Sequence, residues 1–131
     1  MPARLNILLA LAFAFAGAAS LAQAETPRGS SCIDSRQLQD WKSPSPNVIY
    51  YRVHKNQVFR LDLSSGSNQL QYSDVHLFSN HLTPSPWICT PADWNLRVTD
   101  DHHTFTEPLI VSAITQLTPD EIDAIPPQFR P

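Results

Sequence analysis

The strongest structural signal in the chain lies at residues 47–63, NVIYYRVHKNQVFRLDL. Residues 48–53 are rich in β-branched and aromatic side chains, and residues 58–63 alternate apolar with polar. Both patterns are typical of β-strands, and the polar residues 54–57 between them include Asn56, which tolerates the positive φ of a tight turn. The stretch therefore predicts a β-hairpin. The side chains predicted to face inward are Ile49, Tyr51, Val53, Phe59, Leu61 and Leu63.

The segment before the hairpin allows two interpretations. Asp34 could cap a helical turn over residues 35–39, or residues 36–41 could form a short strand. Residues 43–46 read Ser-Pro-Ser-Pro, and we expect them to form a connection because proline interrupts both helices and ladders.

Four segments after the hairpin have strand character: residues 74–78, 87–89, 94–98 and 109–117. Residues 64–68, Ser-Ser-Gly-Ser-Asn, predict a turn. In the last strand, alternation places one set of side chains on a common face. That set is Leu109, Val111, Ala113, Thr115 and Leu117.

A short helix is predicted at the end of the chain. Thr118 is a suitable N-cap, Pro119 suits the first helical position, and Glu121 completes a capping box. Pro126 and the proline after it end the helix after about two turns. The side chains predicted to pack on the sheet are Ile122 and Ile125.

Short strands separated by turn signals predict a mainly β fold: a small antiparallel sheet, sandwich or barrel with a short C-terminal helix. We expect residues 25–131 to form this single small domain. Val48 and Tyr50 fall on the hairpin face opposite the predicted core. That face could be an open partner surface, or a second sheet or the C-terminal helix could cover it.

Residues 1–24 have the features of a signal peptide. Arg4 precedes an apolar run at residues 7–17, and residues 22–24 read Ala-Gln-Ala, a pattern that signal peptidases recognise. The mature domain would then be periplasmic or secreted, with no membrane span after cleavage. Cys32 and Cys89 both lie in that domain, and an oxidising compartment favours one disulfide between them.

Composition argues against several functions. A net charge of −3 disfavours binding to nucleic acid through a basic face. Three glycines in 131 residues exclude a glycine-rich phosphate loop. No Gly-x-Ser-x-Gly elbow is present, so we expect no enzymatic activity.

One cluster could bind a metal. Asp101, His102 and His103 carry donors suited to zinc, copper or nickel, although no cofactor is expected if this segment is simply an exposed polar turn. Neighbouring residues on a strand point to opposite faces, so the two histidines could bind one ion only from a loop. Further histidines that the fold could bring close are His54, His76 and His81.

Two other sets of residues suggest binding. Trp41, Trp87 and Trp94 could form a platform for a sugar or peptide, or could pack in the core beside the disulfide. Residues 64–67, with Tyr72 downstream, resemble the serine- and glycine-rich loop of periplasmic lysozyme inhibitors, although a plain turn explains them equally.

The order of these segments resembles a family of small exported bacterial proteins catalogued only as a domain of unknown function. The resemblance covers about 95 residues and rests on short motifs. Members often have four cysteines; this chain lacks one near Ser67 and one near Leu109, which implies pairing of the remaining two. The family implies no activity, ligand or catalytic residue. The matching segments are Cys32 to Leu38 with Trp41, Val58 to Leu63, Ile88-Cys89 with Asp93, and Ile110 to Ile114 leading to residues 117–121.

The sequence therefore predicts an exported, non-catalytic binding or envelope-associated module. Its partner would be a protein or small ligand of the cell envelope. A metal-binding protein that uses the His102–His103 loop, and a small secreted enzyme inhibitor, are the alternatives.

Overall fold

The computed structural model describes residues 32–79 and 85–131. The predicted signal peptide, residues 1–24, and the candidate ligand His81 lie outside this part of the chain. In the described residues the predicted mainly β architecture with a short C-terminal helix is confirmed. The elements are β1 Ile33–Asp34, β2 Leu38–Ser45, β3 Val48–Val53, β4 Gln57–Ser65, β5 Val75–Ser79, β6 Trp87–Ile88, β7 Leu96–Asp100, β8 Thr106–Gln116 and α1 Pro119–Ala124.

Six of these strands form one antiparallel sheet in the order β2-β3-β4-β8-β7-β5. The sheet curls, so that β2 at one edge approaches the 3₁₀ turn Asn68–Gln71 that leads to β5 at the other edge. β1 and β6 form a separate two-stranded sheet.

The predicted hairpin is confirmed as β3 and β4, with Ile49 opposite Leu61 and Tyr51 opposite Phe59. All six side chains predicted to face inward are buried. In the turn, the residue with positive φ is His54, at 52°, whereas the sequence pointed to Asn56. The concave side of the sheet holds the core, which these six share with residues of the other strands and of the 3₁₀ turn Asn68–Gln71. Among the others are Ile33, Leu70, Ile88, Trp94, Leu96, Val98 and Leu109.

The predicted face of the last strand is correct only in its first half. Leu109 and Val111 are buried, but Thr115 is exposed and Ile114 packs against the core instead. The reason is a β-bulge: Asp62 pairs with Ala113 and Leu63 with Val111, so one extra residue of β8 interrupts the alternation.

The prediction that residues 43–46 form only a connection was wrong. β2 continues to Ser45, through Pro44. A proline is tolerated there because β2 is an edge strand with a register shift between Lys42 and Ser45. Before β2, both interpretations are partly realised: Asp34 caps the 3₁₀ turn Ser35–Gln37, and the strand follows directly.

The C-terminal helix forms as predicted, with Thr118 as N-cap and the capping box to Glu121. It lies over the hairpin face opposite the core, where Tyr50 and Arg60 line a groove with Ile125. Ile125 is buried and Ile122 is half-buried. Of the coverings considered for this face, the helix is the one that the structure shows.

The predicted disulfide between Cys32 and Cys89 is present, with the two sulfur atoms 2.06 Å apart. It joins β1 to β6, where Ile33 and Ile88 face each other and are each 1% exposed. Within residues 32–79 and 85–131, no helix has the length and apolar character that a membrane crossing requires.

Candidate binding cleft between the sheet edges

The two edges of the curled sheet do not join, and the space between them is a cleft of about 400 Å³. β2 forms one wall, and the 3₁₀ turn Asn68–Gln71 with the start of β5 forms the other. We call this space the seam cleft. Side chains that line it include Asp40, Trp41, Lys42, Ser43, Gln71, Tyr72, His76 and Phe129.

The edge of β2 is protected against strand pairing. The Asp40 carboxylate accepts a hydrogen bond from the backbone N–H of Trp41 at 2.8 Å. Ser43 Oγ lies 2.6 Å from the Ser45 carbonyl oxygen and 2.9 Å from that of Val48. Pro44 has no N–H to donate. Pro44 and the Trp41 N–H that Asp40 engages leave fewer backbone donors on β2 free to pair with another strand, whereas the Ser43 hydroxyl bonds within the β2–β3 pair.

The aromatic residues of the cleft differ in exposure. Tyr72 is 61% exposed, whereas Trp41 and Phe129 are half-buried. Trp41 pairs across the sheet with Tyr51. Burial raises the pKa of Tyr51, and the nearby Asp40 carboxylate raises it further, so the phenol stays protonated at neutral pH.

The charges of the cleft are nearly balanced. Asp40 and Lys42 lie on β2, and His76 on the opposite wall contacts the Asp101 carboxylate through Nε2. The Gln71 amide reaches across the cleft to within 3.4 Å of Ser43 Oγ. The surface therefore offers hydrogen-bonding groups and flat apolar faces without a strong net charge, a combination suited to a neutral polar ligand.

Of the three tryptophans considered as a platform, only Trp41 lines the seam cleft. Trp94 is a core residue with its ring centroid 6.0 Å from that of Tyr51 and an interplanar angle of 45°. Trp87 is half exposed on β6, beside the disulfide. The three side chains do not share one surface.

The candidate metal ligands Asp101, His102 and His103 occupy the turn between β7 and β8, and all are exposed. The Asp101 carboxylate contacts His76, while His103 Nδ1 lies 3.4 Å from Thr99 Oγ1. In the part of the chain that the structure describes, no three His, Cys, Asp or Glu side chains converge on one point.

A different acidic residue organises this turn. Asp100 accepts hydrogen bonds from the backbone N–H groups of Thr104 and Phe105, at 2.7 and 3.3 Å. The Thr104 side chain also donates to it, and these bonds lower the pKa of Asp100. The carboxylate therefore stays ionised and fixes the tip of the β7–β8 hairpin.

Residues 64–67, which resemble an inhibitory loop in sequence, do not form one exposed loop in the structure. Ser64 and Ser65 belong to β4, so the predicted turn begins later than expected. Ser67 is 4% exposed and donates a hydrogen bond to Glu107. Tyr72 projects instead into the seam cleft.

Sequence reasoning missed Gln71, Tyr72 and Phe129 as members of the cleft. Tyr72 could have been suspected, because it is a large aromatic side chain in the otherwise polar residues 71–74. Tyr72 and Phe129 line the same cleft because the whole sheet curls, and no local sequence pattern encodes that curl.

Fold and cleft together define a small disulfide-linked antiparallel β domain with an open seam. Comparisons of the chain with protein-family models, with curated proteins and with solved structures find no match.

Proposed function

We propose that this chain is a non-catalytic binding module of an exported protein and that the seam cleft is its ligand-binding surface. The observation that carries the proposal is the cleft itself, about 400 Å³ in volume, where a 61%-exposed tyrosine faces a protected strand edge. Cavities of this size are typical of sites for small ligands or for single protruding segments of a partner.

The chemistry of the cleft supports binding rather than catalysis. Ser43 Oγ bonds to two backbone carbonyls and to the Gln71 amide, and none of its hydrogen bonds within the described residues goes to His76, so the two are not paired as nucleophile and base. Tyr72, Trp41 and Gln71 supply stacking and hydrogen bonding instead.

Export is supported by two features. The sequence begins with a signal-peptide pattern at residues 1–24, and the mature part contains the Cys32–Cys89 disulfide. Disulfides persist in oxidising compartments, which favours a periplasmic or secreted location and a partner in the cell envelope.

Site-specific photo-crosslinking in the producing cell tests this function even though the ligand is unidentified. Benzoylphenylalanine replaces Tyr72 in one variant and Ile110 in the control. Ile110 is 58% exposed on β8, away from the cleft, so the two positions offer similar access to solvent.

We expect discrete adducts from position 72 that are absent from position 110. Lys42→Ala and Gln71→Ala in the position-72 variant should weaken the adducts, because both side chains line the cleft. Equal adduct patterns at the two positions, or no adduct at position 72, would contradict the proposal.

A further inference from the structure

A second cavity, separate from the seam cleft, lies between the end of the β3–β4 hairpin and α1. Its volume is about 430 Å³. Arg52 of β3 and Lys55 of the hairpin turn line one side, and Ile122 of α1 and Arg130 line the other. Asp123 and Pro131 also line it. We call it the basic cavity, because its lining carries three cationic side chains and one carboxylate, in a chain whose net charge is −3.

Two of these cations have no carboxylate partner among the described residues. Arg36 pairs with Asp34 and Arg60 with Asp62, each at 2.8 Å, but Arg52 and Lys55 form no ion pair with any residue that the structure describes. Both therefore remain able to bind an external anion.

Arg130 is held in place by the backbone. Its Nη2 donates to the carbonyl oxygens of Asp123 and Ile125, at 2.8 and 3.1 Å. The Asp123 carboxylate lies 3.9 Å from Nη1 and is 81% exposed, so water screens most of its attraction. Since its guanidinium is already positioned, Arg130 loses little conformational entropy when an anion binds.

The cavity also has an apolar side. Val58, directly opposite Arg52 in the sheet, is 3% exposed, and Ile122 and Pro119 complete the apolar lining. A site with several cations at an apolar wall favours an anion that carries a hydrocarbon part over a free inorganic ion.

We propose that the basic cavity binds a small organic oxyanion, a carboxylate or phosphate monoester with a short aliphatic group. The oxyanion lies among Arg52, Lys55 and Arg130. The Arg52 guanidinium donates paired hydrogen bonds to it, and Lys55 and Arg130 add positive charge. The aliphatic part lies against Ile122 and Pro119, which keep exposed surface in the cavity. This site is independent of the seam cleft and of whatever binds there.

Nuclear magnetic resonance titration of the oxidised protein with hexyl phosphate tests the proposal. We expect saturable shifts centred on the three cationic residues and on Ile122, with inorganic phosphate binding more weakly because it lacks the hydrocarbon part. Arg52→Gln should weaken hexyl phosphate binding about tenfold, the usual effect of removing one charge-assisted hydrogen-bond donor.

Arg97→Gln is the matched control. It removes the same charge from β7, outside the basic cavity, and should leave the affinity for hexyl phosphate unchanged. Equal weakening in both variants would show a general charge effect and overturn the site, as would shifts that do not saturate at millimolar concentrations.

A second arm uses vesicles that contain an anionic phospholipid. Binding to vesicles with no binding to soluble hexyl phosphate would show recognition of a lipid surface and would overturn the small-anion proposal. Binding of hexyl phosphate with no vesicle binding supports it.

Discussion

Gly66 lies where two backbone segments pass in close contact. A Cβ atom built on it would lie 1.8 Å from the carbonyl oxygen of Pro46 and 2.7 Å from its carbonyl carbon. The same approach lets the Ser67 N–H donate to the Pro46 oxygen at 3.0 Å. At this position glycine is required by space, because the atoms in the way belong to the backbone and cannot rotate aside.

Gly66→Ala should therefore destabilise the protein by about 1–3 kcal/mol, the usual cost of forcing backbone apart in a packed region. The measurement is urea unfolding of the oxidised protein. Ser65→Ala is the control: Ser65 is exposed, and its substitution should change the free energy of unfolding by less than about 0.5 kcal/mol. Equal stabilities for the two variants would show that the two backbone segments are not in contact at Gly66.

At the scale of elements, local patterns predicted the β3–β4 hairpin and its inner face, because every alternate side chain there agrees with the pleat. The helix was also predictable from local sequence, because its capping box depends on residues only three positions apart. The second half of β8 was not, because the bulge at Ser112 is set by pairing with β4, fifty residues earlier. Ser112 Oγ donates to the Asp62 carbonyl there at 3.0 Å.

Because of the bulge, we expect alanine substitutions on the two faces of β8 to affect stability differently. Ile114→Ala should lower the free energy of unfolding by about 1–3 kcal/mol, because the half-buried side chain packs against the core. Thr115→Ala should change it by less than about 0.5 kcal/mol, since Thr115 is exposed. Thermal or urea unfolding measures the stability of both variants. A larger loss at Thr115 than at Ile114 would mean that β8 alternates without a bulge.

The whole molecule depends on contacts between distant parts of the chain. The disulfide connects residues 57 positions apart and holds β1 against β6. Its pairing was predictable, because two cysteines allow one internal bridge. The seam cleft was not predictable: Trp41 was identified as a candidate binding residue, but its neighbours Gln71, Tyr72 and Phe129 reach it only when the sheet curls.

Replacing both cysteines by serine should lower the free energy of unfolding by about 4 kcal/mol, from the loop-closure entropy that the bridge removes from the unfolded chain. Urea unfolding of the double variant measures this. Wild-type protein reduced with dithiothreitol is the control, and it should lose a similar amount because its sequence is otherwise unchanged. A loss below about 1 kcal/mol in both would mean that the bridge contributes little to the stability of the fold.

The binding proposal requires that β2 and the 3₁₀ turn Asn68–Gln71 face each other across the seam cleft. Nuclear Overhauser contacts in the oxidised protein measure this most directly. We predict contacts between the Gln71 side-chain amide protons and Ser43, and between the Phe129 ring and residues of β2. If the turn instead shows contacts only to β4 and β5, the sheet is open in solution and the seam cleft does not exist.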